Sequence, residues 1–152
     1  MRSIKELSDH VRQQGGKVTP QRIAIWQALT NDKTHPTAED LYARLTVAMP
    51  TLSLATLYHV LNELVEWGEV RRFDTGDGHT HFDPNTTPHA ELVCLRCHTV
   101  IDAPKAAYTA VALPHELAGY RIVTRSEQYF GYCPACQRLA NAMNLTSDER
   151  IV

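Results

Sequence analysis

Four cysteines in two Cys-x-x-Cys pairs constrain this chain more than any other feature. They are Cys94-Leu95-Arg96-Cys97 and Cys133-Pro134-Ala135-Cys136, separated by 35 residues. Each pair places two thiolates on one tight turn, which supplies two corners of a tetrahedron. Two such turns complete the four-sulfur sphere that Zn²⁺ favours. With Cys94, Cys97, Cys133 and Cys136 all used, no coordination position stays open. The ion is therefore structural, and it contributes folding energy to the segment around it. An iron–sulfur centre is the chemical alternative. A redox-active dithiol is another, but neither pair is expected at a helix start that follows a strand.

Size and composition decide how much work that metal has to do. The 152 residues suffice for one core, or for two domains of about 70 to 80 residues that would each be marginal without a metal, a disulfide or a partner. With 43% hydrophobic and 21% charged residues, the chain as a whole need not be disordered. No window approaches the roughly 18 consecutive apolar residues of a membrane span. The opening MRSIKELSDHVRQQGGKVTP lacks the apolar core and cleavage signal of a secretory peptide. A cytoplasmic location is expected, where thiols stay reduced and bind metal rather than form bridges. Net charge is −2, and residues 1–83 alone carry nine basic and eleven acidic side chains. Any nucleic-acid surface must therefore be a local patch.

The pattern along the chain is α+β and changes near residue 84. A first helix over 3–14 is stopped by Gly15-Gly16. Thr19 caps a second that opens on Pro20 and carries Ile23, Trp26 and Leu29 at helical spacing. Thr37, with Asp40 in a near capping box, starts a third helix over 38–46. Ser53 caps a fourth over 54–67, with Leu57, Leu61, Leu64 and Val65 inward and Gly68 as its stop. Val70–Phe73 and His79–Phe82 flank the turn sequence Asp74-Thr75-Gly76-Asp77-Gly78 and predict a hairpin. The turn-forming DPNTTPH follows. Beyond it, 89–95, 99–102 and 120–130 are expected as strands, 105–118 as a weaker helix and Cys136–Met143 as a last helical piece. The expected domains are 1–83, a linker over 84–88, and 89–152.

The helices at 38–46 and 54–67 with the hairpin fit a winged helix-turn-helix, in which the second helix presents its N-terminal residues to base edges. Leu54, Thr56, Tyr58, His59 and Asn62 are its exposed candidates; Asn62 suits adenine and Thr56 a thymine methyl. Lys17, Arg22, Arg71 and Arg72 are candidates for phosphate contacts. The competing reading is a small helical domain used for packing or protein contact, in effect a zinc-stabilised interaction module. An enzyme is disfavoured, since no positioned nucleophile–base pair is identifiable.

The segments TPQRIAIWQAL, HPTAEDLY, SLATLYHVLNELVEWGEV, HFD, CLRC, VID and YGYCPAC resemble the ferric uptake regulator family of metal-dependent transcriptional repressors, over residues 17 to 138. The resemblance implies a winged-helix DNA-binding domain, a small α/β dimerisation domain, and a homodimer that binds inverted-repeat operators when a regulatory metal is bound. It also implies a ligand set: His35, Asp83, His89, Glu91 and Asp102. Two imidazoles and three carboxylates form a hard N/O set that suits Fe²⁺ or Mn²⁺. Such a metal would tie the two domains together and act through the populations of open and closed dimers. This sequence departs from the family pattern at Glu91, usually histidine, and at His98, usually glycine, where an altered knuckle geometry is expected. His79 and His81 share a strand face with Asp83 by period two, and a surface role is expected for both.

Peroxide-sensing members resemble this chain in the aspartate at position 102 and in the histidines matching His35 and His89. In those members Fe²⁺ reacts with peroxide, a ligand histidine is oxidised and DNA is released, which makes His35 and His89 the oxidation candidates. Iron or manganese homeostasis without peroxide sensing, and zinc or nickel sensing, stand as alternatives.

Overall fold

In a computed structural model, residues 1–104, 119–121 and 125–142 are described. They divide into two compact units, Met1–Thr87 and Pro88–Val152. The helix expected over 105–118, and Met143 at the end of the last helical piece, lie outside the described residues.

The first unit is four helices and a two-stranded wing. Its helices are α1 (Ile4–Gln13), α2 (Pro20–Leu29), α3 (Ala38–Thr46) and α4 (Leu54–Glu66). Every N-terminus is capped. Ser3 with Glu6 and Thr37 with Asp40 form reciprocal capping boxes, and Thr19 and Ser53 accept from the amides of Arg22 and Thr56. Each cap satisfies donors that a helix start otherwise leaves open. Gly68 ends α4 at φ 69°, a left-handed value that glycine takes without penalty. The inward stripes meet in one core built from Leu7, Val11, Ile25, Trp26, Leu29, Leu41, Leu57, Leu61, Leu64 and Phe82.

The wing strands are β1 (Arg71–Asp74) and β2 (Thr80–Asp83), antiparallel, with Arg71 opposite Asp83 and Phe73 opposite His81. Both sit one residue later than the sequence predicts. Val70 is held back by its amide, which donates to the Leu64 carbonyl, and by its burial in the core. His79 is held in the turn by its amide, which donates to the Asp77 carboxylate at 2.9 Å. A bridge between Thr37 and His81, and the Phe82 amide donating to the Pro36 carbonyl at 3.0 Å, tie the wing to the entrance of α3.

Among its described residues the second unit holds a three-stranded sheet in the order β4-β3-β5, made of β3 (Glu91–Cys94), β4 (Val100–Asp102) and β5 (Gln128–Gly131), followed by α5 (Pro134–Ala142). β3 pairs antiparallel with β4 and parallel with β5. Of the strand expected over 120–130, residues 122–124 lie outside the described residues; among the described ones 128–130 pair with β3, in a parallel register set by Glu91–Cys94 rather than by local pattern. The last helix starts two residues before the expected Cys136, at Pro134, whose fixed φ suits a first helical position.

Candidate metal centres and DNA-facing surface

The turn between β3 and β4 and the junction between β5 and α5 bring the four cysteines together. One sulfur from each of Cys94, Cys97, Cys133 and Cys136 lies within 4.8 Å of all the others. The Cys97 and Cys133 sulfurs are 3.8 Å apart. A tetrahedral ion with Zn–S bonds near 2.3 Å requires sulfur–sulfur edges of about 3.8 Å. A single Zn²⁺ therefore fits, whereas a cluster with inorganic sulfides between its irons needs wider spacing.

The electrostatics agree. Burial pushes the Cys94 thiol up, but amide donors from Cys133, Cys97 and Arg96 outweigh it and pull the thiol down to about 6. Burial and the three neighbouring sulfurs push Cys136 up to about 12. Four thiolates so close repel one another, and a bound dication replaces their protons.

One sequence expectation is corrected here. Cys133-Pro134-Ala135-Cys136 does lie at a helix start directly after a strand. Cys133 caps α5: its sulfur accepts from the Cys136 amide at 3.4 Å and its carbonyl from the Gln137 amide at 3.0 Å. Cys94 and Cys97 complete the sulfur sphere, so the pair serves as metal ligands. His98 closes the other turn at φ 56°, with its amide donating to the Cys94 carbonyl at 2.9 Å. It thus adopts the left-handed backbone expected of glycine, and the turn geometry is kept.

Each unit also buries a histidine beside a carboxylate. In the first, His35 and Asp83 are each 1% exposed, and His35 Nε2 lies 3.8 Å from Asp83 Oδ1. The Asp83 carboxylate also accepts from the Asn85 amide at 2.7 Å. In the second, Glu91 and Asp102 are cross-strand partners on β3 and β4. His89 Nε2 lies 2.8 Å from Glu91 Oε1 and 3.6 Å from Asp102 Oδ1. Glu91 is wholly buried and Asp102 partly exposed. Paired acids opposite one another repel, and a buried carboxylate requires a positive partner. Nitrogen and oxygen donors of this kind are compatible with a hard divalent cation such as Fe²⁺ or Mn²⁺.

The sequence misplaces one residue near His35. His81 is buried, at 6% exposed, rather than on the surface. Its Nδ1 is 2.8 Å from the His35 carbonyl and its Nε2 is 3.1 Å from Asp77 Oδ2, while its ring stacks on Phe73. Burial would raise the Asp77 carboxyl, but the His79 amide, the His81 ring and the Thr75 hydroxyl outweigh it and hold it at about 2. Period-two placement beside Asp83 was the available signal for His81. Its anchor, Asp77, sits across the turn and follows no period. His79 is exposed.

On α4, Leu54, Tyr58, His59 and Asn62 are exposed and Thr56 is half-buried. Thr56 Oγ1 is 2.8 Å from Ser53 Oγ, so its hydroxyl shares in the cap. The Tyr58 hydroxyl donates to Glu39 on α3 at 2.9 Å, and this bond to a carboxylate raises its pKa. Lys17 and Arg72 are exposed and Arg71 is half-buried. Arg22 is engaged within the unit, gripping Glu63 of α4 and the Lys17 carbonyl.

Fold and sites together define a winged helix-turn-helix unit joined in one chain to a β-rich unit with a four-cysteine zinc site. A model of the ferric uptake regulator family matches residues 13–124, and the chain belongs to that family. It is 31% identical over 139 residues to the peroxide operon regulator of Bacillus subtilis (strain 168), covering 91% of this chain and 96% of that relative. The Helicobacter pylori ferric uptake regulator Fur shares the fold, with a TM-score of 0.69 at 18% identity over 88% of this chain and 91% of that one. PerR from Streptococcus pyogenes is also similar, with a TM-score of 0.52 at 28% identity over 90% of this chain and 95% of that one.

Proposed function

We propose that this chain is a metal-dependent transcriptional repressor, a regulator rather than an enzyme. It acts in the cytoplasm as a homodimer on inverted-repeat operators in double-stranded DNA, and it senses peroxide through iron-catalysed oxidation of His35 or His89. The observation that carries this is the pair of buried histidine–carboxylate contacts, His35–Asp83 and His89–Glu91. The 31% identity to a peroxide operon regulator supports it. Among the described residues no helix is long and apolar enough to cross a membrane.

In this proposal His35, Asp83, His89, Glu91 and Asp102 hold one Fe²⁺ or Mn²⁺, so that the metal couples the two units. Bound Fe²⁺ would supply the one-electron chemistry that peroxide cleavage needs. The protein's part is orientation. His81 fixes the His35 backbone through its carbonyl, and the β3–β4 ladder fixes Glu91 against Asp102. Buried imidazoles held next to the metal are then the nearest oxidisable groups. Tyr58, His59, Asn62 and Thr56 on α4 read bases, with Lys17, Arg71 and Arg72 toward phosphates. Dimerisation is supported by the row Ile101–Leu92–Tyr129, three residues in register across the sheet and all exposed. Contiguous apolar surface of this kind marks a contact site.

The test compares Fe²⁺-loaded and Mn²⁺-loaded protein exposed to peroxide. Peptide mass mapping should find one added oxygen on His35 or His89 in the iron form alone, with loss of DNA binding. If iron-loaded protein gains no oxygen and keeps its DNA, peroxide sensing is wrong and iron or manganese homeostasis replaces it. DNA binding that ignores added Fe²⁺ and Mn²⁺ would remove the regulatory site altogether.

A further inference from the structure

Arg22 and Glu63 form a multiply bonded ion pair in the first unit. Arg22 Nη2 donates to Glu63 Oε1 at 2.6 Å and Oε2 at 2.5 Å, and Nε donates to Oε2 at 3.1 Å. The remaining nitrogen, Nη1, donates to the Lys17 carbonyl at 2.5 Å. The two side chains are only 12% and 22% exposed. Glu63 stands one helical turn after His59 on α4, and His59 Nε2 lies 3.6 Å from its Oε1.

A carboxylate at that position is a problem for a helix that enters a groove lined by phosphates. It repels the phosphates, and it competes for any charge His59 would bring to them. The first unit is already net acidic, so it has no surplus of positive charge to mask the repulsion. Arg22 meets the requirement from behind. Its planar fork engages both carboxylate oxygens, and its attachment to the Lys17 carbonyl fixes the approach. We propose that Arg22 is an electrostatic shield: it neutralises Glu63 and so makes the His59–Asn62 face of α4 acceptable to DNA, rather than contacting phosphate itself.

The inference rests on the DNA-binding reading of α4. It makes Arg22 and Glu63 positioning residues, and their effect must follow charge and salt. The probe is a duplex selected from a random pool by the metal-loaded full-length protein, with affinity read by fluorescence anisotropy at low and at raised salt. R22M should bind about tenfold more weakly at low salt, and the defect should narrow as salt screens the exposed carboxylate. E63Q should bind at least as tightly as the parent, and R22M/E63Q should return to the parent's affinity. A double variant as weak as R22M would overturn the shield, as would an E63Q variant weaker than the parent. In either case Arg22 acts directly on DNA or through the clamp's geometry. A parent protein that selects no duplex overturns the DNA-binding reading, and the shield falls with it.

Discussion

His35 carries a backbone φ of 50° directly before Pro36. A left-handed residue costs about 1 to 2 kcal/mol, and strain persists only where the surroundings over-determine it. Here the surroundings are His81 at the His35 carbonyl and the His35 ring edge-on to Phe73. Asp77 anchors His81 in turn, so replacing it should loosen the support behind a proposed ligand. D77N is expected to destabilise the protein at neutral pH, as measured by denaturant unfolding. The sign with pH follows from a carboxyl held at about 2 against an ordinary 3.8. Its contribution is complete above the ordinary value and is lost as pH falls toward 2. The gap between parent and D77N should therefore be constant above about pH 5 and close in acid; a gap that widens in acid would contradict the assignment. H81A should weaken regulatory-metal affinity about 10- to 100-fold in a competition titration, as expected when a group orienting a ligand is lost.

The two Cys-x-x-Cys elements reach the same sulfur sphere by different local means. Pro134 starts a helix behind Cys133, whereas His98 must turn left-handed behind Cys97. H98G should relieve that turn and stabilise the zinc-bound protein by about 1 kcal/mol, read as a higher unfolding midpoint; a loss of stability would mean that the His98 side chain has a role of its own. Helix starts at Thr19, Thr37 and Ser53 were legible in the sequence because a cap is a contract among four neighbouring residues. The start of β5 was not, since Gln128 is selected by Glu91, far away in sequence. Similarly, spacing pointed to the four cysteines that come within 4.8 Å of one another, and family resemblance pointed to the proposed regulatory ligands. The grip of Arg22 on Glu63 was not, because charge alone does not say whether an arginine faces solvent or a helix across the core.

For the whole chain, the proposed dimerisation and the zinc dependence are both tested on the second unit. A charge at the centre of the apolar row, L92D, should leave a folded protein whose mass by light scattering is one chain rather than two; an unchanged dimer would move the interface elsewhere. Zinc retention should fall as the pH is lowered, because protons compete with the metal for the four thiolates. A chromogenic chelator added along a pH series reads this directly. Chelation at neutral pH should melt the second unit and leave the first unit's helices, which have a core of their own.

The parallel pairing of β3 with β5 also sets a timetable. During synthesis the first unit has its complete core once residue 87 has left the ribosome. The next strand, β3, emerges with Cys94 and Cys97 but must wait for Gln128–Gly131 and then for Cys133 and Cys136. Until those arrive, half a metal site and the edge of β3 that β5 will cover stand open, with β4 already paired on its other side. Nascent chains stalled just short of Cys133 should therefore resist protease through residue 87, be cut beyond it, and hold no zinc.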